Sequence, residues 1–142
     1  MEKERIQKLI EQFKKLPGIS LKHAEKIVSA ILSSEDLRKA VSEISQLAAA
    51  IEKCPRCGFF RDQEHCRNCE KESDEICVVE SFSDMNAILK SGEFKGSFHI
   101  LGGLIAPLEG VFPEQLAIGS LRERIIEKKC DEIIIALPGT IE

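Results

Sequence analysis

Four cysteines stand in the run CPRCGFFRDQEHCRNC, with Cys54 and Cys57 as one Cys-x-x-Cys pair and Cys66 and Cys69 as the second. Thiols so spaced can cross-link as disulfides, ligate iron for electron transfer, or hold a zinc ion that is either hydrolytic or structural. Two such knuckles present four thiolates tetrahedrally, and nothing between them needs to open a coordination position. A tetrathiolate site without a vacancy cannot generate a zinc-bound hydroxide, so one structural Zn²⁺ per chain is the expected occupant. His65 lies inside the run as a competing ligand that four cysteines leave unused. Iron of the rubredoxin type needs aromatic packing around it, and the chain has no Trp and no Tyr. Cys77 and Cys130, in or beside apolar strands, read as ordinary core or near-surface thiols.

A second chemistry is written in LPGIS, Leu16 to Ser20. A Pro-Gly hairpin between two helices offers its amides, and the N-terminus of the helix behind it, to a phosphate. Pro17, Gly18, Ile19 and Ser20 supply the hairpin. Lys22 and Lys26, four apart on the next helix, project to one side and extend the contact. The alternative is a plain αα-turn with a solvated basic face, and His23 beside it reads as an exposed neighbour. A third possibility centres on Glu80, which closes an apolar strand at the end where α/β sheets place their sites. With Asp84 it could hold Mg²⁺ for phosphoryl chemistry. That would want further acidic residues at a neighbouring strand end, where Pro138-Gly139-Thr140 offer none. Gly102-Gly103 stays open between a tight turn and a close backbone approach.

The chain that must position these groups has 142 residues, enough for one ordinary domain or two small ones. Its hydrophobic content of 43% is that of a globular protein. No stretch reaches the roughly 18 apolar residues of a membrane span, and MEKERIQKLIEQF carries no signal-peptide core. A cytoplasmic location follows as the expectation, in which cysteines are thiols or metal ligands. The net charge of −4 argues against nucleic-acid coating by the whole chain. Residues 1–28 nevertheless hold seven Lys and Arg against four Glu, a local basic face.

Periodicity predicts three helices first. Ile6, Leu9, Ile10, Phe13 and Leu16 form one stripe, and Pro17-Gly18 stops it. Ser20 caps a second helix with the stripe Ala24, Ile27, Val28, Ile31 and Leu32. Ser33 or Ser34 opens a third, with Leu37, Val41, Ile44, Ala48 and Ile51 expected to face inward. After the cysteines and the polar linker EKESDE the period changes. ICVVE (76–80), FHIL (98–101) and EIIIAL (132–137) have the apolar, β-branched character of buried parallel strands. Helices are expected from about Ser83 to Lys90, and from Ser120, which with Glu123 spells a capping box. Strand-helix-strand-helix-strand implies a parallel sheet with right-handed crossovers.

In this order, the hairpin, the four-cysteine site, ICVVE, FHILGGLIAPLEGV, LRERI and EIIIAL together resemble the bacterial recombination mediator family RecR. The resemblance runs from about Leu9 to Glu142 and is closest over 54–80 and 98–110. It implies an α+β, multi-part protein: a helix-hairpin-helix bundle over 1–53, a zinc finger over 54–69, and a partial Toprim-type parallel sheet over 76–142. It further implies a noncatalytic clamp for recombinational DNA repair, nucleoid-associated, that works with RecO and in some contexts RecF. Such a clamp helps load recombinase on single-stranded DNA coated by single-strand-binding protein, and contacts single-stranded and duplex DNA without regard to sequence. Lys22 and Lys26 fall at the family's basic hairpin positions. Glu80 matches the Toprim glutamate and, with Glu142, is the implied acidic partner contact. Pro138 to Thr140 stand where catalytic Toprims carry Asp-x-Asp, which agrees with no catalysis.

Ser20 and Leu21 depart from the glycine and proline usual in the family, and Pro138 from asparagine. Family members also continue past Glu142, so a fragment or a shortened relative is expected. Such a chain should leave a sheet edge or apolar face exposed and dimerise through its N-terminal helices. Two further functions compete: a Toprim nuclease or primase-like enzyme using Glu80 and Mg²⁺, and a zinc-ribbon adaptor that binds only protein.

Overall fold

Gly18, at φ +80°, reverses the chain between its first two helices, a backbone angle that side chains beyond glycine rarely adopt. In the computed structural model, which describes residues 2–62 and 64–139, these helices belong to the first of two units, Met1–Ala49 and Ala50–Glu142. Helix α1 spans Glu2–Lys14 and α2 spans Leu21–Ser33. They close on each other through Ile10, Ala24 and Val28, with Phe13 and Ile19 packed alongside. Ser20 caps α2 as its sequence position suggests, its Oγ accepting from the His23 amide at 3.3 Å. Ser34 does the same for α3, Glu35–Ala50, at the Leu37 amide. Arg38 reaches back to donate to the Ile31 carbonyl, which also accepts from the Ser34 amide, and to the Leu32 carbonyl at the end of α2.

The inward face expected for α3 is not inward. The helix buries none of its residues, and Leu37, Val41, Ile44 and Ala48 all lie exposed, Ile44 at 65%. Ile51 belongs to the strand that follows. Two helices already bury Ile10, Ala24 and Val28 against each other, and a unit this small has no second layer to receive α3.

In the second unit, β1 (Ile51–Lys53) and β2 (Phe60–Asp62) pair antiparallel as a short stem. A three-stranded parallel sheet of β3 (Glu75–Val79), β4 (Ser97–Ile100) and β5 (Glu132–Ala136) follows, in the order β4-β3-β5. Helices α4 (Phe82–Ser91) and α5 (Ile118–Lys128) connect its strands. The unbroken apolar run of β3 is explained by two covered faces. Cys77 and Val79 pack with Phe98, Ile100 and Met85 of α4, while Ile76 and Val78 pack with Leu101 and the α5 residues Leu121 and Ile125.

Two boundaries differ from expectation. Helix α5 starts at Ile118, and Ser120 lies within it, donating to the Ala117 carbonyl instead of capping with Glu123. The capping box sits at α4, where Ser81 and Asp84 satisfy each other's backbone amides. EIIIAL, which reads as a central strand, is an edge among the described residues: β5 pairs only with β3, and Ile135 is 70% exposed.

The β4–α5 contact is polar at its centre. Arg124 is 1% exposed and has no carboxylate partner among the described residues. Its Nη1 donates to the Phe98 carbonyl at 2.8 Å and to His99 Nδ1 at 3.1 Å, and its Nη2 donates to Ser97 Oγ. His99 is fully buried, and its Nε2–H donates to the Ala117 carbonyl at 2.7 Å. Burial, reinforced by the Arg124 charge and opposed by the Ala117 bond, holds the imidazole pKa below its ordinary value. The folded state therefore resists a proton that the unfolded chain accepts below about pH 6.5. Stability should fall as pH drops through that window, by up to about 1.4 kcal/mol per pH unit from this group. Denaturant titrations between pH 5 and 6.5 should show a smaller slope for His99→Asn than for the parent.

Candidate metal centre

Each cysteine pair sits on a tight backbone turn. The Gly58 amide donates to the Cys54 carbonyl at 2.9 Å, the Cys54 amide to the Phe59 carbonyl at 2.7 Å, and the Glu70 amide to the Cys66 carbonyl at 3.0 Å. The β1–β2 stem brackets the first turn, and the second turn lies against it. Sγ of Cys54 and Cys69 lie 3.7 Å apart, Sγ of Cys57 and Cys66 lie 3.5 Å apart, and all four lie within 4.8 Å of one another. These separations exclude disulfides, whose sulfurs lie at about 2.05 Å. They match the edges, about 3.8 Å, of a tetrahedron built on metal–sulfur bonds of about 2.3 Å. Cys54, Cys57 and Cys66 are buried and Cys69 is half-buried. Among the described residues this is the one cluster of three or more potential ligands able to hold a metal ion. His65 stands aside, paired with Glu70 at 3.1 Å and mostly exposed.

The sulfurs are electrostatically unequal. A hydrogen bond from the Cys69 thiol, helped by the Asn68 carboxamide and the Phe59 backbone and opposed by burial, pulls Cys57 down to about 4. Burial pushes Cys66 up, and the bond to Cys57, then burial, pushes Cys69 up. Without a cation the pocket favours a thiolate at Cys57 and protons on Cys66 and Cys69, so a bound metal supplies the charge that ionises those two. Metal affinity consequently weakens as pH falls.

The knuckles dock on the free edge of β4. The Ile100 amide donates to the Cys57 carbonyl at 2.8 Å. Asn68 makes a two-point contact with Phe98, accepting from its amide and donating to its carbonyl, both at 2.7 Å. Lys71 Nζ donates to the Gly96 carbonyl at 3.2 Å. Gly58, at φ +74°, lies so close that a Cβ there would stand 2.5 Å from the Ile100 carbonyl oxygen. An exposed ion pair between Arg56 and Glu127 joins the first knuckle to α5. None of these partners was apparent from the sequence. Asn68 and Arg124 become visible only when Phe98, far from both in sequence, is placed between them.

Glu80 follows β3, at the rim of a 210 Å³ pocket formed with Lys53, Gly58, Phe60, Phe82 and Gly103. Asp84, its proposed companion for Mg²⁺, is engaged in the α4 cap: its Oδ2 accepts from the Ser81 hydroxyl at 2.6 Å and amide at 3.1 Å. Pro138 lines an apolar pocket with Leu137 and Leu101, and Thr140 and Glu142 lie outside the described residues. In the first unit Pro17, Gly18, Ile19 and Ser20 form the turn ahead of α2. Lys22 and Lys26 are both exposed, with no carboxylate partner among the described residues. The Ser20 hydroxyl is used in capping. Cys77 is buried in β3, and Cys130 donates to the Asp74 and Glu132 carbonyls, away from the cluster.

Residues 74–142 match the family model described as the Toprim domain. The chain is similar to the recombination protein RecR of Prochlorococcus marinus subsp. pastoris, 39% identical over 96% of this chain and 71% of that protein. It is similar in the same way to those of Treponema denticola, 40% identical over 96% and 73%, and Myxococcus xanthus, 35% identical over 96% and 72%.

Cys57→Ser removes the buried sulfur whose anionic form the site most favours. Metal analysis should find one ion per parent chain and a loss of stoichiometric binding in the variant. Chelator competition should show parent affinity falling as pH is lowered from 8 to 6, as ligands that must release protons require.

Proposed function

The chain belongs to the recombination protein RecR family, and from that premise we propose that it is a noncatalytic, DNA-binding clamp subunit acting in recombinational DNA repair. In this role it helps a partner of the RecO type, with RecF in some settings, to load recombinase on DNA coated by single-strand-binding protein. The observation that carries the reading is likeness to named recombination proteins along 96% of the chain.

Four features support its parts. Two lysines without a carboxylate partner among the described residues stand one turn apart in the first half of α2, behind a glycine turn, where ammonium groups and amides can meet a phosphate. The four cysteines suit a structural Zn²⁺, since the donor set is all sulfur and leaves no position for substrate water. Asp84, the acid that follows Glu80, is committed to the α4 cap, which weakens the case for a Mg²⁺ site among the described residues and leaves Glu80 suited to a cationic partner surface. The exposed stripe of α3 suits a homodimer through the first unit.

DNA affinity in this role is sequence-independent and falls steeply with salt, since it comes from ammonium groups and amides facing phosphates. Lys22→Glu with Lys26→Glu should abolish binding to single-stranded DNA while leaving metal content and helicity unchanged. Each lysine taken off a phosphate should flatten the log–log salt dependence by about one unit. Binding by the double variant equal to the parent's would remove the hairpin from the DNA interface. Cleavage of DNA dependent on Mg²⁺ and on Glu80 would replace the clamp reading by the nuclease one.

A further inference from the structure

Among the described residues strand β4 has a neighbouring strand on one side only, yet all four of its residues are buried. Its inward groups pair with β3, and the sheet contact continues where the Leu101 amide donates to the Val79 carbonyl. Just ahead of the strand the outward groups are those of Gly96, and within it those of Phe98 and Ile100. They are met in turn by the Lys71 ammonium, the Asn68 carboxamide and the Cys57 carbonyl. The two-point Asn68–Phe98 contact copies the exchange of N–H and C=O bonds between opposed residues of an antiparallel ladder. A side chain here does the work of a strand. Asn68 lies between Cys66 and Cys69, and Cys57 is itself a candidate ligand, so two of the three covering groups are set by the conformation of the knuckles. The Phe98 carbonyl accepts from Arg124 as well, which ties the same peptide group to α5.

We infer that filling of the four-cysteine site and closure of the β4 edge form one coupled equilibrium, with Asn68 as the positioning residue that links them. A loaded site fixes the Cys66–Cys69 turn and so holds the carboxamide on Phe98. An empty site frees that turn, and the Phe98 and Ile100 amides lose their partners while β3–β4 pairing remains. Coupling is reciprocal: whatever loosens Asn68 from Phe98 also loosens the metal. This inference rests on the four cysteines holding a metal.

The test is amide hydrogen exchange on the full chain reconstituted with zinc, before and after chelation, together with zinc affinity by chelator competition. In the parent, chelation should speed exchange at Phe98 and Ile100 by tenfold or more and leave Leu101, bonded within the sheet, much less changed. In Asn68→Ala, Phe98 should exchange fast even with zinc bound, chelation should add little at that amide, and zinc affinity should fall about tenfold. Asn68→Asp keeps the acceptor for the Phe98 amide and should restore its protection. Failure to take up zinc would overturn the metal reading and the inference together. Uptake of zinc with Phe98 exchange indifferent to chelation, or with Phe98, Ile100 and Leu101 accelerating equally, would overturn the inference alone. Undiminished affinity in Asn68→Ala would do the same. The parent measurement needs no substitution, so it decides the matter even if a variant fails to fold.

Discussion

An edge strand carries unpaired amides and carbonyls that must find partners once buried, and β4 is the strand on which this requirement falls. Its solution organises the second unit. The cysteine turns supply one carbonyl and one carboxamide to the edge, the following segment supplies an ammonium, and α5 supplies a guanidinium at the same Phe98 carbonyl. The knuckles are consequently a lateral layer of the sheet, and Ala50–Glu142 forms one unit with no boundary at Cys69. The four-cysteine cluster touches mainly strand backbone, and Gly58 of its first turn also lines the pocket that holds Glu80.

Glu80 shows how local geometry can decide between chemistries. Its strand end is the place where an α/β sheet would put a reacting group, and a second acid follows within one turn. Local geometry removes that acid from service. A capping box binds Asp84 to Ser81, because a helix N-terminus leaves amides that a nearby carboxylate satisfies at once. The same residue that in isolation looks like a metal ligand is a structural cap, and this choice between two chemistries is made by three residues of sequence.

The sequence was most legible where one residue type has one use. Four cysteines in two close pairs, glycine at a helix reversal, Ser20 ahead of α2 and the β-branched run of β3 all act through local geometry. Their structures follow from spacing. It was least legible where partners are distant or missing. Periodicity shows that α3 has an apolar stripe but not whether anything lies against it, and EIIIA in β5 has the composition of a central strand while holding an edge position. Ser120 spelled a capping box that the chain did not use, since α5 already begins at Ile118. Asn68 and Arg124 gave no signal at all. An asparagine between two cysteines and an arginine on a helix look like surface residues until a shared peptide group is known.

Arg124 has a consequence for how this chain can change over generations. One guanidinium serves the Phe98 carbonyl, the His99 ring and the Ser97 hydroxyl in a fixed planar fork, and a lysine's single ammonium cannot span them. A lone replacement at 97, 99 or 124 strands a buried polar group. Descendants that alter this cluster should therefore exchange its members together, so positions 97, 99 and 124 should covary, with 68 drawn in through the Phe98 peptide they share.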